Sequence, residues 1–510
     1  MEFSLSALAA LGAMDRELPQ ALAGLCADGL VTPLRQLPEP TFCFRHALIQ
    51  DAIYKGLLRQ QRRHLHAKAA WALEEASTDR LEEVAGLLGH HYAAAGETGR
   101  AVRYLTVAGD HAASVFANEE AVSSYRSALA IVGQGRPAGD LMEEAALELR
   151  PKLIEVLWHT GRHDEAQDVL HEAISLVRPD DPFQAARLYY LLGRVELADR
   201  RLEAALAAFR AADELLGSNP EDQDQVTFDL WFDLQMEGLA RVPYWRDEPD
   251  KVDAVLARAR PALETRGGPV HRQAFYTALL LRQLTESRHF IDEEILARAR
   301  AALAAAEESC GQFEIGWKVF NVGFCLLWHG DLAGAEDKLA AALGIGERTG
   351  EVGMQTLSLC YLNLTALRRH DAAAVASRAP QAIEAADAAS RPEYALMARA
   401  SLAWLAWREG RFAEVEARAQ EALASWRTSV WHPFHWICLW PLIAVYLAAG
   451  RTAEAIDASR QLLVPPQQRL PDELESAVQL AIAAWDSGEM QLAGLRLAEA
   501  LELAQRFRYA

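Results

Sequence analysis

The stretch GDLAGAEDKLAAA, residues 330–342, decides the fold of this 510-residue chain. A glycine is followed five residues later by Ala335, and then by Leu339 and Ala342. The spacing i, i+4, i+7 places these three side chains on one face of a helix, and the two alanines let a neighbouring helix approach closely. The stretch therefore predicts the second helix of a helix-turn-helix unit.

The same pattern of a small, an apolar and a small residue recurs along the chain. Five residues after other predicted turns it begins at Ala101, Ala166, Ala205 and Ala493. In the C-terminal half the register is strict, with equivalent positions every 40 residues at Ile295, Ala335, Val375, Val415 and Ala455. The pattern resembles that of tetratricopeptide (TPR) repeats, although the period exceeds their roughly 34 residues. We therefore predict an all-α, TPR-like superhelical solenoid of about 40-residue helix-turn-helix repeats.

The repeat register is irregular at residues 220–260. Residues 223–251 carry several aromatic side chains and two prolines and do not follow the pattern. Such an interruption indicates either a bend in the solenoid or a specialised binding surface, and the sequence leaves both interpretations open.

The first eighty residues have a different organisation. Helices are predicted at residues 3–11 and 15–28, and TFCFRH at residues 41–46 alternates as a short strand does. We predict a small winged-helix module in which only residues 35–44 are extended. Residues 1–45 carry three arginines against five acidic residues, which does not suit a DNA-binding surface. The predicted domains are residues 1–80, for this module and a connecting helix, and residues 81–510, for the repeats.

Composition narrows the class of protein. The 51 Lys and Arg and 71 Asp and Glu give a formal net charge of −20, which disfavours nucleic acid as a partner. The six cysteines form no CxxC pair, so neither a zinc ribbon nor a disulfide scaffold is expected. The N-terminus lacks a basic region and a long apolar run, and we therefore expect a cytoplasmic protein without a membrane partner.

Three tracts carry a resemblance to a known architecture. They are FCFRHALIQDAIYKGLLRQQRRHLHAKAAWALE at residues 42–74, the HHYAAAGETGR region at residues 90–129, and QQRLPDELESAVQLAIAAWDSGE at residues 467–489. These resemble the winged-helix and TPR region that follows the ATPase domain in bacterial STAND-type proteins. The resemblance is greatest to class III adenylate/guanylate cyclases with an AAA-like ATPase and a TPR tail, and MalT-like and LuxR-type regulators share the architecture.

The resemblance implies a nucleotide sensor but no catalytic centre in this chain. By position, His46 with Arg45 resembles the winged-helix histidine that contacts the nucleotide in STAND proteins; the alternative is that His46 caps the following helix. No GxxxxGK[ST] loop is present, and GETGR at residues 96–100 lacks the lysine. We therefore expect neither catalysis nor a cofactor.

An aromatic tract near the C-terminus is the other candidate site. Trp404, Trp431, His435 and Trp436 would line either the groove of the superhelix or a repeat core. His435 and Cys438 have the spacing of two metal ligands on one helical face, but no third ligand is evident, so no metal site is predicted.

These observations favour a non-catalytic regulatory module. The superhelix would bind a protein, a peptide or a small-molecule effector and couple that event to a STAND-type ATPase or another signalling output, and self-association is compatible with the pattern. Two alternatives remain open. The chain would be part of an ATP-dependent cyclase or a LuxR-type regulator whose catalytic or DNA-binding domains are absent here, or it would be a free-standing adaptor. The sequence does not identify the ligand.

The missing phosphate loop gives a direct prediction. The purified chain should show no saturable, magnesium-dependent binding of ATP and no hydrolysis, because no backbone loop cradles the phosphates. Equilibrium binding with labelled ATP measures this. Saturable binding that persists in the His46→Ala variant would contradict the prediction.

Overall fold

The computed structural model describes residues 2–10, 17–35, 40–134, 140–217, 223–426, 433–465 and 467–510. It is 82% helical and built from TPR-like helical repeats, which confirms the predicted fold class. The chain divides into two compact units, Met1–Leu157 and Trp158–Ala510. The domain boundary predicted at residue 80 lies within the first unit and stays a prediction.

The first unit begins with a small antiparallel sheet in the order β1-β3-β2. Its strands are β1 (Glu2–Ser4), β2 (Val31–Arg35) and β3 (Thr41–Phe44). The expectation that residue 3 begins a helix, and that only residues 35–44 are extended, is therefore wrong. Phe3 lies opposite Phe42 in the sheet, with ring centroids 6.0 Å apart, and this cross-strand pairing draws the N-terminus into extended structure.

The rest of the first unit is helical, with a short 3₁₀ turn at Thr78–Arg80. Its helices are α1 (Leu5–Ala10), α2 (Leu18–Ala27), α3 (Ala47–Gly56), α4 (Arg59–Ala76), α5 (Leu81–Ala95), α6 (Thr98–Ser114), α7 (Asn118–Gln134) and α8 (Asp140–His159), whose last residues belong to the second unit.

The second unit is a succession of paired helices. These are α9 (His163–Leu176), α10 (Pro182–Ala198), α11 (Leu202–Leu216), α12 (Gln225–Asp233), α13 (Arg241–Trp245), α14 (Pro249–Arg266), α15 (Pro269–Glu286), α16 (Glu293–Ser309), α17 (Gln312–His329), α18 (Leu332–Thr349), α19 (Val352–Arg368), α20 (Ala372–Ala388), α21 (Pro392–Arg408), α22 (Phe412–Trp426), α23 (Trp436–Ala448), α24 (Thr452–Leu462), α25 (Asp472–Asp486) and α26 (Met490–Arg506). No helix among the described residues is both long and apolar enough to cross a membrane.

The predicted repeat register is confirmed by where its residues lie. The positions at 40-residue intervals fall in every second helix, near the starts of α16, α18, α20, α22 and α24. Ala335, Leu339 and Ala342 are all 0% exposed, as are the equivalent residues of α9, α11 and α26. The pattern thus marks the helical face that packs into each helix pair.

The two helices of a pair approach most closely where the first carries a glycine. Gly89, Gly109, Gly193 and Gly323 each lie sixteen residues before the central apolar residue of the next helix. At Gly323 an added Cβ would lie 2.9 Å from Leu339 Cγ and 3.1 Å from its backbone nitrogen. Such distances are shorter than van der Waals contact, so these positions tolerate only glycine without a shift of the helix.

The second unit winds so that early helices contact much later ones. Arg200, after α10, forms an ion pair with Glu393 of α21 at 3.2 Å. The His159 ring stacks on Phe313 of α17, with centroids 4.2 Å apart. Arg368, the last residue of α19, donates to the backbone carbonyl of Phe507, after α26, at 3.3 Å. These contacts join helices of the unit that are far apart in the sequence.

Two glycine substitutions in neighbouring helices should have opposite effects on stability. Gly323→Ala should destabilise the protein by about 1–3 kcal/mol, because the new methyl meets backbone that cannot move away. Gly344→Ala in α18 is the matched control, since its nearest neighbour is Arg348 Nη1 at 3.5 Å. It should stabilise by up to about 1 kcal/mol through helix propensity. Urea unfolding of both variants measures the difference, and midpoints that shift in the same direction would refute the packing argument.

Candidate functional site

The irregular segment of the sequence forms a row of charged side chains in the second unit. Helix α12 runs into a π-helical turn, Leu234–Leu239, and then into α13. Asp229, Asp233, Glu237 and Arg241 follow one another at four-residue intervals along this element and so share one side of it. π-helical turns within α-helices are frequent at functional sites.

Neighbouring helices add further charges to this row. We define the inner charged site as Asp233, Glu237 and Arg241 together with Arg194 of α10 and Glu314 and Lys318 of α17. Arg241 forms an ion pair with Glu237. The side chain of Glu237 is 27% exposed and that of Arg241 is 36% exposed, so both contact solvent. Lys318, in contrast, is only 5% exposed.

Burial and the charges of neighbouring residues shift the pKa values of these groups. Burial raises the pKa of Asp233 to about 7, and the nearby charge of Glu237 adds to the rise. Burial acts in the same direction on Glu237, but Arg241, Lys318 and Arg194 outweigh it and hold its pKa below the ordinary value. Burial also lowers the pKa of Lys318, which Glu237 offsets in part. Perturbed pKa values of this kind cluster at functional sites.

Aromatic rings adjoin the site on the side of α10 and α17. The Arg194 guanidinium lies over the Trp158 ring, 4.1 Å from its centroid. His159 stacks on Phe313, the residue preceding Glu314. Burial, with Arg194 nearby, lowers the pKa of His159 to about 3, so the imidazole is neutral at physiological pH. The arrangement combines fixed charges with flat apolar surfaces, which suits binding rather than proton transfer by this histidine.

The packing of the repeat positions the π-helical turn. The ring of Phe209, 0% exposed, lies against both Gly193 and Gly238. An added Cβ on Gly238 would be 2.8 Å from Phe209 Cδ1. On another side, Gln235 donates to Asp213 at 2.9 Å, and Arg258 bonds the same carboxylate at 2.7 Å. The backbone beneath the charged row is therefore fixed by close contacts.

The structure places the predicted aromatic candidates mainly in the core. Trp404 is 0% exposed and Trp436 is 2% exposed, so neither ring offers accessible surface to a partner. His435 is partly buried, stacks on Trp426 at 4.6 Å, and has its pKa lowered by burial to about 4. Trp431 lies outside the described residues. The structure does not bring Trp404, His435 or Trp436 together with the inner charged site.

The predicted nucleotide sensor belongs to the first unit. His46 is exposed at the N-cap position of α3, but its side chain makes no capping hydrogen bond. Arg45 is also exposed. The role of both residues stays a prediction.

Three histidines of the first unit lie close together without forming a recognisable metal site. His66 Nδ1 is 2.9 Å from His91 Nδ1, and the His90 ring is 6.0 Å from that of His66. Tyr54 of α3 hydrogen-bonds His66 Nε2 at 2.9 Å. Across the described ranges, no group of three His, Cys, Asp or Glu side chains has a geometry that could hold a metal ion.

No protein-family model matches the chain. Over 117 residues it is 33% identical to an uncharacterized protein of Rhizobium meliloti (strain 1021), a match that covers 23% of this chain. The chain spans 11% of the length of that curated relative.

Several solved structures are similar in their helical repeats. A Rap protein complexed with competence and sporulation factor has a TM-score of 0.47 and 15% identity, over 78% of this chain and 99% of that one. The STAND protein with a tetratricopeptide repeat sensor from Pyrococcus horikoshii has a TM-score of 0.43 and 12% identity, over 97% and 63%. The APC/C hetero-tetramer Cut9-Hcn1 has a TM-score of 0.40 and 14% identity, over 90% and 96%. At these scores the likenesses carry no conclusion about function.

The raised pKa of Asp233 predicts a pH-dependent loss of stability. The folded protein retains a proton on Asp233 that the unfolded chain releases near pH 4, so stability should fall as the pH rises from about 4 towards 7 and level off above it. The Asp233→Asn variant lacks this titration. Raising the pH from 5 to 7.5 should therefore lower the free energy of unfolding of the wild type by about 2 kcal/mol relative to that of the variant.

Denaturant unfolding at the two pH values measures this gain. Glu351, whose pKa burial also raises to about 7, titrates in both proteins and cancels in the comparison. A constant difference between variant and wild type across the range would contradict the assignment.

Proposed function

We propose that the second unit is a non-catalytic binding module that holds a peptide or a small effector at the inner charged site. The observation that carries this proposal is that partly solvated, charged side chains of a π-helical turn lie near further charges from two neighbouring helices, Arg194 of α10 and Lys318 of α17. Burying a charge without a partner is expensive, and an apolar residue would serve a purely structural role better. Enclosed surfaces with a few convergent polar groups are the usual form of a ligand site.

The first unit exposes a surface suited to binding a partner protein. Helix α3 has no buried residue, and α3 and α4 together expose large apolar side chains, with Leu48 at 83%, Leu58 at 70% and Trp71 at 58%. Residues 45–71 carry six Lys or Arg and one Asp in a chain of net charge −20. An exposed patch of this kind is typical of a protein-interaction surface.

We further propose that this face belongs to a winged-helix-like module that couples ligand binding to a STAND-type ATPase or another signalling output. Support comes from the resemblance of residues 42–74 and from the exposed apolar and basic face. His46 and Arg45 remain the proposed contacts to a nucleotide held by such a partner. A protein partner for α3 and α4, and an effector for the second unit, together describe a relay.

Affinity selection tests the binding proposal even though the ligand is unidentified. A soluble random tetrapeptide library and a mixture of cellular small molecules are incubated with the full chain, and retained compounds are identified by mass spectrometry. We expect the wild type to retain a defined set of compounds that the Glu237→Gln/Arg241→Gln variant does not, because the variant removes both charges of the inner ion pair.

The matched control is Glu294→Gln/Arg298→Gln, which removes an ion pair of the same four-residue spacing on α16. It should retain the same compounds as the wild type. Retention that is equal in all three proteins, or no retention by any of them, would overturn the proposal.

A further inference from the structure

Two surface cavities lie on either side of helix α22. The first has a volume of about 440 Å³ and is lined by α22, α23 and α24. The second has a volume of about 300 Å³ and is lined by α20, α21 and α22. Leu402 of the second cavity corresponds, one 40-residue repeat later, to Leu442 of the first, and Glu421 corresponds to Gln461. The two cavities are therefore the same feature of the repeat, present in consecutive units.

Each cavity has an apolar floor and a polar rim. In the larger cavity the floor includes Leu423, Leu442 and Ala458, which are 8%, 4% and 3% exposed. In the smaller cavity the floor includes Leu396, 8% exposed, and Ala422, 2% exposed. An apolar floor beneath a solvated polar rim is the usual anatomy of a binding surface, because the floor supplies contact area and the rim supplies specificity.

The rims of the two cavities carry opposite charges. Glu454 and Asp457 line the larger cavity, and among the described residues no Lys or Arg lines it, so we call it the acidic cavity. Arg399 and Arg418 line the smaller cavity together with one carboxylate, Glu421, and we call it the basic cavity. A ligand that carries only one sign of charge would therefore suit only one of the two cavities.

The charged groups of the rims remain accessible to a ligand. The side chain of Asp457 is 78% exposed and lies 4.0 Å from Arg460. The side chain of Arg399 is 42% exposed and donates from Nη2 to Asp387 at 2.7 Å. A guanidinium group has five N–H donors, so this bond leaves others for a carboxylate of the ligand. Water, which a ligand can displace, solvates much of both groups.

We propose that the two cavities together bind an extended peptide segment of a partner protein, with a basic side chain in the acidic cavity and an acidic side chain in the basic cavity. Helix α22 separates the cavities and is about 10 Å wide. An extended chain advances by about 3.3 Å per residue, so the two charged side chains are three or four residues apart in the partner. This surface is separate from the inner charged site, and the inference goes beyond the proposed function.

Charge complementarity selects this occupant. A peptide with two basic side chains would place one of them against Arg399 and Arg418, and a peptide with two acidic side chains would place one against Glu454 and Asp457. Such like-charge contacts suppress the wrong partners. The long aliphatic parts of Lys, Arg and Glu side chains can also pack on the apolar floors while their charged ends reach the rims.

Fluorescence anisotropy with defined peptides and the full chain tests the inference. The probes are labelled peptides with blocked ends, in which two or three apolar residues separate Lys from Glu, Glu from Lys, Lys from Lys, or Glu from Glu. We expect one of the two mixed orders to bind at least about tenfold more tightly than both like-charged sets, since each of its side chains meets an opposite charge. Equal binding of all the sets, or no binding of any of them up to about 1 mM, overturns the inference.

Variants that reverse a rim charge locate the binding. Asp457→Lys should weaken binding of the favoured peptide by about tenfold and shift the preference towards the set with two Glu. Arg399→Glu should shift it towards the set with two Lys. Asp337→Lys, at the same position of the repeat on α18, is the matched control and should bind like the wild type. A purely structural role of these residues would not reverse a charge preference, so an unchanged preference in both variants contradicts the inference.

Two further measurements separate this inference from its rivals. Sedimentation of the chain alone tests whether a second copy occupies the cavities, and a dimer that Asp457→Lys dissociates would overturn the peptide as occupant. The Glu237→Gln/Arg241→Gln variant should bind the peptides like the wild type, so the result does not depend on the inner charged site. The comparison of peptide sets uses the wild type and therefore remains decisive even if a variant fails to fold.

Discussion

Close approach of paired helices is the constraint on which the rest of the structure depends. At four places a large central side chain of the second helix, such as Phe209 or Leu339, faces a glycine of the first helix sixteen residues earlier. Elsewhere the sizes are reversed, because Ile443 precedes Ser459 at the same interval and both are 0% exposed. In these pairs complementary volumes keep the seam filled, as the high packing density of protein interiors requires.

The charged row that begins on α12 and continues through the π-helical turn lies beside one of these seams. It also depends on the seam, because Phe209 packs against both Gly193 and Gly238 and so holds the π-helical turn beneath Glu237. A backbone that is already fixed keeps the geometry of the site and loses little conformational entropy when a ligand binds.

The repeats could be predicted because their signal is local and periodic, whereas the strand β1 and the inner charged site depend on distant residues. Residues 2–4 look helical by local propensity, but pairing with Thr41–Phe44 overrides that preference. For Trp404 and Trp436 the sequence left open a groove surface or a repeat core, because an aromatic side chain suits both, and only the packing of neighbouring repeats shows that the two rings are buried. The four-residue spacing from Asp229 to Arg241 was a readable signal within the irregular segment, and it would have pointed to the site.

The sequence by itself determined the class of fold, the register of the repeats and the irregularity at residues 220–260. Helical periodicity and the size of side chains three or four residues apart are properties of a single helix, so they are legible without tertiary information. Only the tertiary structure decided which charges act on one another. Arg194 of α10 and Lys318 of α17 lie near enough to Glu237 to lower its pKa, and packing between repeats, which no local pattern encodes, brings these separate helices together.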